Sequence, residues 1–321
     1  MRLIIRFLIY AVSIVATQSS SGDMDPAYHQ CIRNCDCVPN SSDEQIAFAS
    51  STLIKYLFPT FDCQETCSYN CMQIITKART SRGYKVLKYY GHWPVIRYFN
   101  MEEPASALFS MLNCLPHLIH LLGPRKPRKA QYYMTKWLNV LTIVSLNAWV
   151  TSTLYHSKKT IISSRVDYAS AFLLLSYSLW VALRRIWGRD ANSTVVSTAF
   201  TVYASVVISR ITEIMIGNFT FQNHMTICIS ISIIHVSVWL LWILYVILMD
   251  QLVKERKRKF TAVHSTCLLC QFLFVVAAML EIFDFPPFYG IFDAHSLWHL
   301  ATVPLGFYWY YFWFLDCTYN I

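Results

Sequence analysis

Charge is scarce in this chain: 14% of its 321 residues are Asp, Glu, Lys or Arg, against 55% hydrophobic and 16% aromatic. That balance excludes an ordinary soluble domain and fits a helical protein that crosses a membrane several times. The sequence has no glycine-rich phosphate loop and no G-x-S-x-G elbow, which removes the usual marks of nucleotide binding and of serine hydrolases. It has no internal repeat or low-complexity tract, and neither broken spans nor repeated halves speak for a transporter. A net charge of +9 suggests nucleic acid at first sight, but its placement argues otherwise. The basic residues collect in short connections: 124–129, then Arg184, Arg185 and Arg189, then 254–259. This is the positive-inside pattern, so no nucleic-acid partner is expected.

Six of the eleven cysteines, Cys31, Cys35, Cys37, Cys63, Cys67 and Cys71, fall in one polar stretch behind a hydrophobic N-terminus. Such a set reads as a small disulfide framework in the secretory lumen, and the sequence does not choose among the pairings. No C-x-x-C pair lies in that stretch, which weighs against a cysteine zinc site there. Cys267 and Cys270 do have that spacing, but in an apolar span, and read as buried packing.

Residues 1–21 read as a cleaved signal peptide. Arg2 and Arg6 bracket an apolar run that ends near Ala16, short for a bilayer, and small polar residues follow. Residues 22–103 form a luminal cysteine-rich domain in which Asn40 is a glycosylation acceptor. Residues 104–316 hold seven apolar spans, near 104–122, 137–156, 167–186, 194–212, 226–249, 261–281 and 297–315. Residues 317–321 are a short tail. If the spans alternate, the basic connections share the cytosolic side, the N-terminal domain is luminal and the C-terminus cytosolic. Asn218 is then a second luminal acceptor, whereas Asn192 faces the cytosol and stays unmodified. The expected fold is an all-α polytopic membrane protein, a seven-transmembrane-helix bundle with a small disulfide-rich luminal N-terminal domain.

Chemistry concentrates in two places. Asp293-Ala-His295-Ser-Leu-Trp-His299 puts two histidines on one face of a helix that leads into an apolar run. Upstream, Ser152-x3-His156 and then Asp167 fall at the same expected membrane face. Ionisable groups at a membrane helix are costly and mark function by default. Three neutral imidazoles are what catalytic zinc takes, with a fourth position kept for water. His156, His295 and His299 are therefore the expected Zn2+ ligands, Asp167 the group that handles the proton of water, and Ser152 a hydroxyl donor beside them. A Ser152 nucleophile with His156 as base leaves the later histidine pair unexplained.

Other polar residues have plainer readings. His117, His120, His235 and His264 are expected to serve packing. Arg210 and Glu213, three apart, are expected to form an ion pair, with a grip on a lipid phosphate as the alternative. Asp284 reads as a solvated loop acid in preference to a partner for a histidine. Asp293 is open between the same two roles.

The site residues carry a family resemblance. Ser152-x3-His156, Asp167 and His295-x3-His299 resemble the pattern shared by alkaline ceramidases, progestin/adiponectin receptors and related seven-span hydrolases. Within that superfamily the chain is most similar to the Per-one-like family. The match rests on Cys63-Gln-Glu-Thr-Cys67-Ser-Tyr-Asn-Cys71-Met, Gly91-His-Trp-Pro94, Glu103-Pro-Ala-Ser106, Ser145-Leu-Asn-Ala-Trp149 and Asp284-Phe-Pro-Pro287. The resemblance implies a zinc-dependent, GPI-directed phospholipase A2 in the Golgi or endoplasmic reticulum. It would remove the sn-2 acyl chain from GPI-anchored proteins, its substrates, at the membrane lipid surface. Glu103 matches one acidic position that some ceramidases use for calcium, but the rest of that set is not evident, and calcium is not carried over. The alternatives are a ceramidase-like lipid amidase, or a non-catalytic seven-span receptor or lipid-binding protein with structural zinc.

Overall fold

The computed structural model describes residues 21–35, 37, 60–123, 132–252 and 257–319. The signal peptide (but for its last residue), Asn40, the basic stretch 124–129, residues 254–256 and the last two residues of the expected tail lie outside them.

Among the described residues there are nine α-helices: α1 (Pro26–Arg33), α2 (Cys63–Thr80), α3 (Pro104–Leu122), α4 (Thr135–Ser157), α5 (Ile161–Trp187), α6 (Ser193–Ile216), α7 (Phe221–Leu252), α8 (Lys257–Phe283) and α9 (Ala294–Tyr319). The fold is all-α. Six of them, α3 to α8, are long and apolar enough by length and composition to cross a membrane, as a multi-pass membrane protein requires. The seventh expected span, α9, forms a helix in the expected place but is not among the six. Its two histidines, Asp316 and the run Tyr308-Trp-Tyr-Tyr-Phe-Trp313 lower its mean hydropathy, although the aromatic bodies still pack. The helix of the third span starts at Ile161, earlier than the expected 167, so Asp167 lies inside it.

The chain folds as two compact units. The first takes the described residues up to Leu108, the turn Thr153–Thr160 and the return Leu280–Trp298. Its helices start where short acids cap them. Asp25 accepts from the Ala27 N–H at 2.9 Å, with Pro26 at the first helical position. Asp62 and Glu65 form a reciprocal capping box, at 2.7 and 3.0 Å. Cys63, Cys67 and Cys71, four apart, lie along one face of α2. Disulfides join Cys31 to Cys71, Cys35 to Cys67 and Cys37 to Cys63, pinning α1 antiparallel along that face. Tyr28 and Tyr89 are buried with Cys71 between the helices, and the Tyr28 hydroxyl pairs with Ser68 at 2.7 Å.

Residues 84–103 turn twice. The first turn uses Tyr90 (φ 49°) and Gly91 (φ 82°) between the bridged pair Tyr89 and His92, the two positive φ values of a type I′ turn. This segment lies against the return 284–293. Trp93 Nε1 donates to Asp284 at 2.8 Å, Lys88 pairs with the same carboxylate, and the Ile96 N–H donates to the Gly290 carbonyl at 2.7 Å. Gly290 (φ 70°) is needed there, because a Cβ would fall 2.6 Å from the Ile96 side chain. Asp284 is thus a half-buried structural acid, contrary to the solvated role expected: its partners arrive from a segment far away in sequence.

The second unit holds Phe109–Ser152, Ile161–Met279 and His299–Ile321. α5 packs against α6 and α7. Trp180, Trp239, Trp242, Phe312 and Met134 form a dense aromatic core. Inside it Asp316, fully buried, accepts from Arg185 Nε at 2.8 Å and Nη2 at 2.6 Å and also pairs with the Tyr132 hydroxyl. Arg184 lies over the Tyr133 ring and donates to the Gly188 carbonyl at 2.6 Å. These two arginines belong to the last turns of α5 and are buried, not solvated loop residues as the charge pattern suggested. His117 bonds to Tyr310 at 2.7 Å and His120 stacks on the same ring, the packing roles expected. Cys267 and Cys270 are free and buried, also as expected.

Candidate metal centre

α4 ends with His156 and Ser157, and its last carbonyls need donors that the helix itself cannot give. The N–H groups of Glu102 and Glu103 supply them, bonding to Ser157 O at 3.1 Å and His156 O at 3.0 Å. That backbone clasp sets the Glu103 side chain against the imidazole, where its carboxylate accepts from His156 Nδ1 at 2.6 Å. Lys159 pairs with the other carboxylate oxygen, and His92 lies 3.7 Å from it. Burial alone would raise the Glu103 carboxyl. Lys159 and the His156 hydrogen bond outweigh it and hold the group well below the usual carboxylate range. Glu103 is therefore placed as the acceptor for His156 Nδ1.

α9 starts at a true cap. The Asp293 carboxylate accepts from the Ser296 N–H at 2.8 Å, and the Ser296 hydroxyl returns to the Asp293 carbonyl at 2.9 Å. Asp293 is thus neither a solvated acid nor a direct hydrogen-bond partner of a histidine; it aims the helix. One residue into α9, His295 donates from Nδ1 to Glu281 at 2.7 Å. His295 Nε2 then faces His156 Nε2 at 3.3 Å. With each Nδ1 donating to a carboxylate, the two Nε2 atoms face one another, an arrangement that a shared proton or a bound cation would satisfy.

The spacing tests the metal reading. Two nitrogens bound tetrahedrally to zinc at about 2.0–2.1 Å sit about 3.3–3.4 Å apart. Carboxylates on the far nitrogen are the usual support of metal-bound histidines. The residues fit the group.

In the second unit, His299 is buried and follows His295 by one turn of α9. Its Nδ1 lies 3.4 Å from the Ser110 hydroxyl, and Asn113 Nδ2 donates to its carbonyl at 2.7 Å. Ser110 also pairs with Ser152 at 3.0 Å. α3 and α9 approach closely enough for this because Gly306 faces Pro116, where a Cβ would fall 2.7 Å from the ring. Asp167 is half-buried two turns into α5.

His156 and His295 of the first unit are a donor pair able to hold a metal ion. Cys35, Cys67 and Cys71 are a donor set by residue type, but their sulfurs are engaged as disulfides. Sequence reasoning named the histidines and Ser152 but did not name Glu103, Glu281 and Ser110 as their hydrogen-bond partners. For Glu281 there was a signal, a lone carboxylate at the end of an apolar span. For Ser110 there was none.

The Per1-like family model matches residues 53–317. A Danio rerio protein named GPI-specific phospholipase A2-like PGAP3 is 31% identical over 311 residues, covering 95% of this chain and 94% of its own. A Drosophila melanogaster protein named Post-GPI attachment to proteins factor 3 is 30% identical, covering 93% and 90%. The Homo sapiens protein that shares the first name is 27% identical, covering 94% and 90%.

Proposed function

The chain belongs to the Per1-like family, and from that premise we propose that it is a GPI-directed phospholipase A2. It would remove the sn-2 acyl chain from GPI-anchored proteins during lipid remodelling in the Golgi or endoplasmic reticulum. The names of the relatives support the substrate. One observation carries the chemistry: two Nε2 atoms 3.3 Å apart, each opposite an Nδ1 that is tied to a carboxylate.

His156, His295 and His299 would hold zinc, His299 through Nε2 because its Nδ1 turns to Ser110. A zinc ion held there would supply Lewis-acid polarisation and a water acidic enough to react near neutral pH. Glu103 and Glu281 fix the tautomers so that both Nε2 lone pairs point inward. Lys159 keeps Glu103 ionised. The Ser152 hydroxyl, placed by Ser110, donates to the ester oxygen that gains charge as the acyl carbon is attacked. Asp167 accepts the proton of the attacking water and passes it to the departing glycerol oxygen. A new C–O bond forms from water, the sn-2 ester bond breaks, and a free fatty acid and a lyso-GPI protein leave. The disulfide-bonded unit would face the lumen, where the protein moiety of the substrate lies.

The test is hydrolysis by the purified protein of a GPI-anchored substrate labelled in its sn-2 chain, beside Asp167→Asn and His295→Ala, with metal counted in each. The expected outcome is release by wild type alone, with metal kept in Asp167→Asn and lost in His295→Ala. Full activity in His295→Ala would remove the site. A folded, metal-loaded wild type that releases nothing would favour a receptor or lipid-binding role with structural zinc.

A further inference from the structure

The second unit carries a charged site that the hydrolase reading leaves unused. Arg210 stands in α6, the helix least covered by the rest of the protein: 11% of its span is buried, where the other five candidate spans have 28% or more. Val202, Val206 and Ile208 around it are exposed. A full positive charge on such a helix is costly in hydrocarbon unless something compensates it.

The compensation inside the protein is partial. Arg210 Nη1 pairs with Glu213 at 2.5 Å, but Nε and Nη2 are buried with no hydrogen-bond partner. These two nitrogens form one planar edge of the guanidinium, whose spacing matches two oxygens of a phosphate. The Arg210 side chain is 11% exposed, whereas Glu213 is 53% exposed, at the mouth of a groove of about 410 Å³ lined by Ser205, Val206, Ser209, Arg210 and Glu213. On α7, His224 is buried and its Nδ1 is also without a partner. The two guanidinium nitrogens thus wait for an acceptor that the chain does not supply. Arg210 lies six residues before the end of α6 at Ile216, about 9 Å along the axis.

We propose that this groove binds the phosphoethanolamine headgroup of a membrane phospholipid, its phosphate on the Nε/Nη2 edge of Arg210 and its ammonium on Glu213. The acid decides between headgroups. A purely anionic phosphate would meet the Glu213 carboxylate beside Arg210 and be repelled, and a quaternary ammonium has no N–H to donate to it. Of these three headgroup types, the zwitterion with a primary ammonium satisfies both partners.

The full-length protein, reconstituted in phosphatidylcholine nanodiscs doped equally with phosphatidylethanolamine and phosphatidylglycerol, is released and its retained lipid counted by native mass spectrometry. Wild type should retain phosphatidylethanolamine at least fivefold over either other lipid. Arg210→Ala should fall to background. Arg210→Lys, which keeps charge and fold but not the planar edge, should lose several-fold. Glu213→Gln should lose the preference over phosphatidylglycerol while still retaining phospholipid. Equal retention by wild type and both Arg210 variants overturns the site. Displacement of the lipid by millimolar soluble O-phosphoethanolamine would assign the groove to a free phosphate ester and overturn the lipid assignment. Because neither residue belongs to the histidine centre, acyl release should survive the Glu213→Gln change.

Discussion

Glu103 holds His156 twice, through its backbone N–H to the His156 carbonyl at 3.0 Å and through its carboxylate to Nδ1 at 2.6 Å. The first contact ends a helix and the second sets a tautomer. Removing the side chain should spare the first and abolish the second. Glu103→Ala is therefore expected to fold and to bind zinc about 10–100-fold more weakly, the usual cost of losing a carboxylate behind a histidine ligand. Competition with a fluorescent chelator measures it, and unchanged affinity would contradict the assignment of Glu103.

Chelation should also lower the thermal stability of the wild type, since an ion held only by the folded state stabilises it by mass action. In His299→Ala that shift should shrink towards zero. A melting curve with and without chelator and with zinc restored is the measurement.

Ser152→Ala keeps the three imidazoles and removes the hydroxyl that Ser110 positions. The rate of acyl release should fall by about 10²-fold or more with metal content unchanged, as for loss of a donor to a developing oxyanion. A loss of metal in this variant would instead mark Ser152 as a support of the ligands.

Asp316 and Arg185 are both buried and bound through two parallel hydrogen bonds. Asp316→Ala strands a buried guanidinium and should destabilise the protein by about 3–5 kcal/mol. The double replacement Arg185→Met with Asp316→Leu should cost much less than either single change, because no charge is left behind. Thermal unfolding in detergent of the four proteins reads this directly, and additivity would disprove the coupling.

The parts of this molecule that could be read from sequence are the periodic and local ones. The helices lie where the apolar runs put them, and His295 and His299 are related by helical register alone. What escaped depends on residues far apart in the chain. Asp284 looked solvated because Lys88 and Trp93, its partners, lie 196 and 191 residues away. Arg185 looked like one more cytosolic positive charge, and nothing near it announces Asp316. Glu281 precedes His295 by a loop whose return path depends on Gly290 fitting against Ile96. The disulfide pairing was open for the same reason: it needs the antiparallel sense of α1 and α2, which spacing does not state.

The first unit draws its residues from three separated stretches of chain, and this sets an order on biosynthesis. Glu103 and His156 have both been synthesised while most of the second unit is still to come, so their clasp can close early. His295 and Glu281 leave the ribosome only after most of the second unit. The nascent chain therefore passes through membrane insertion with a half-built centre, one imidazole on its carboxylate, and the opposing nitrogen arrives last. A truncation that removes α9 should consequently yield a protein whose disulfide-bonded helices are intact but which has lost the pairing of His156 with His295.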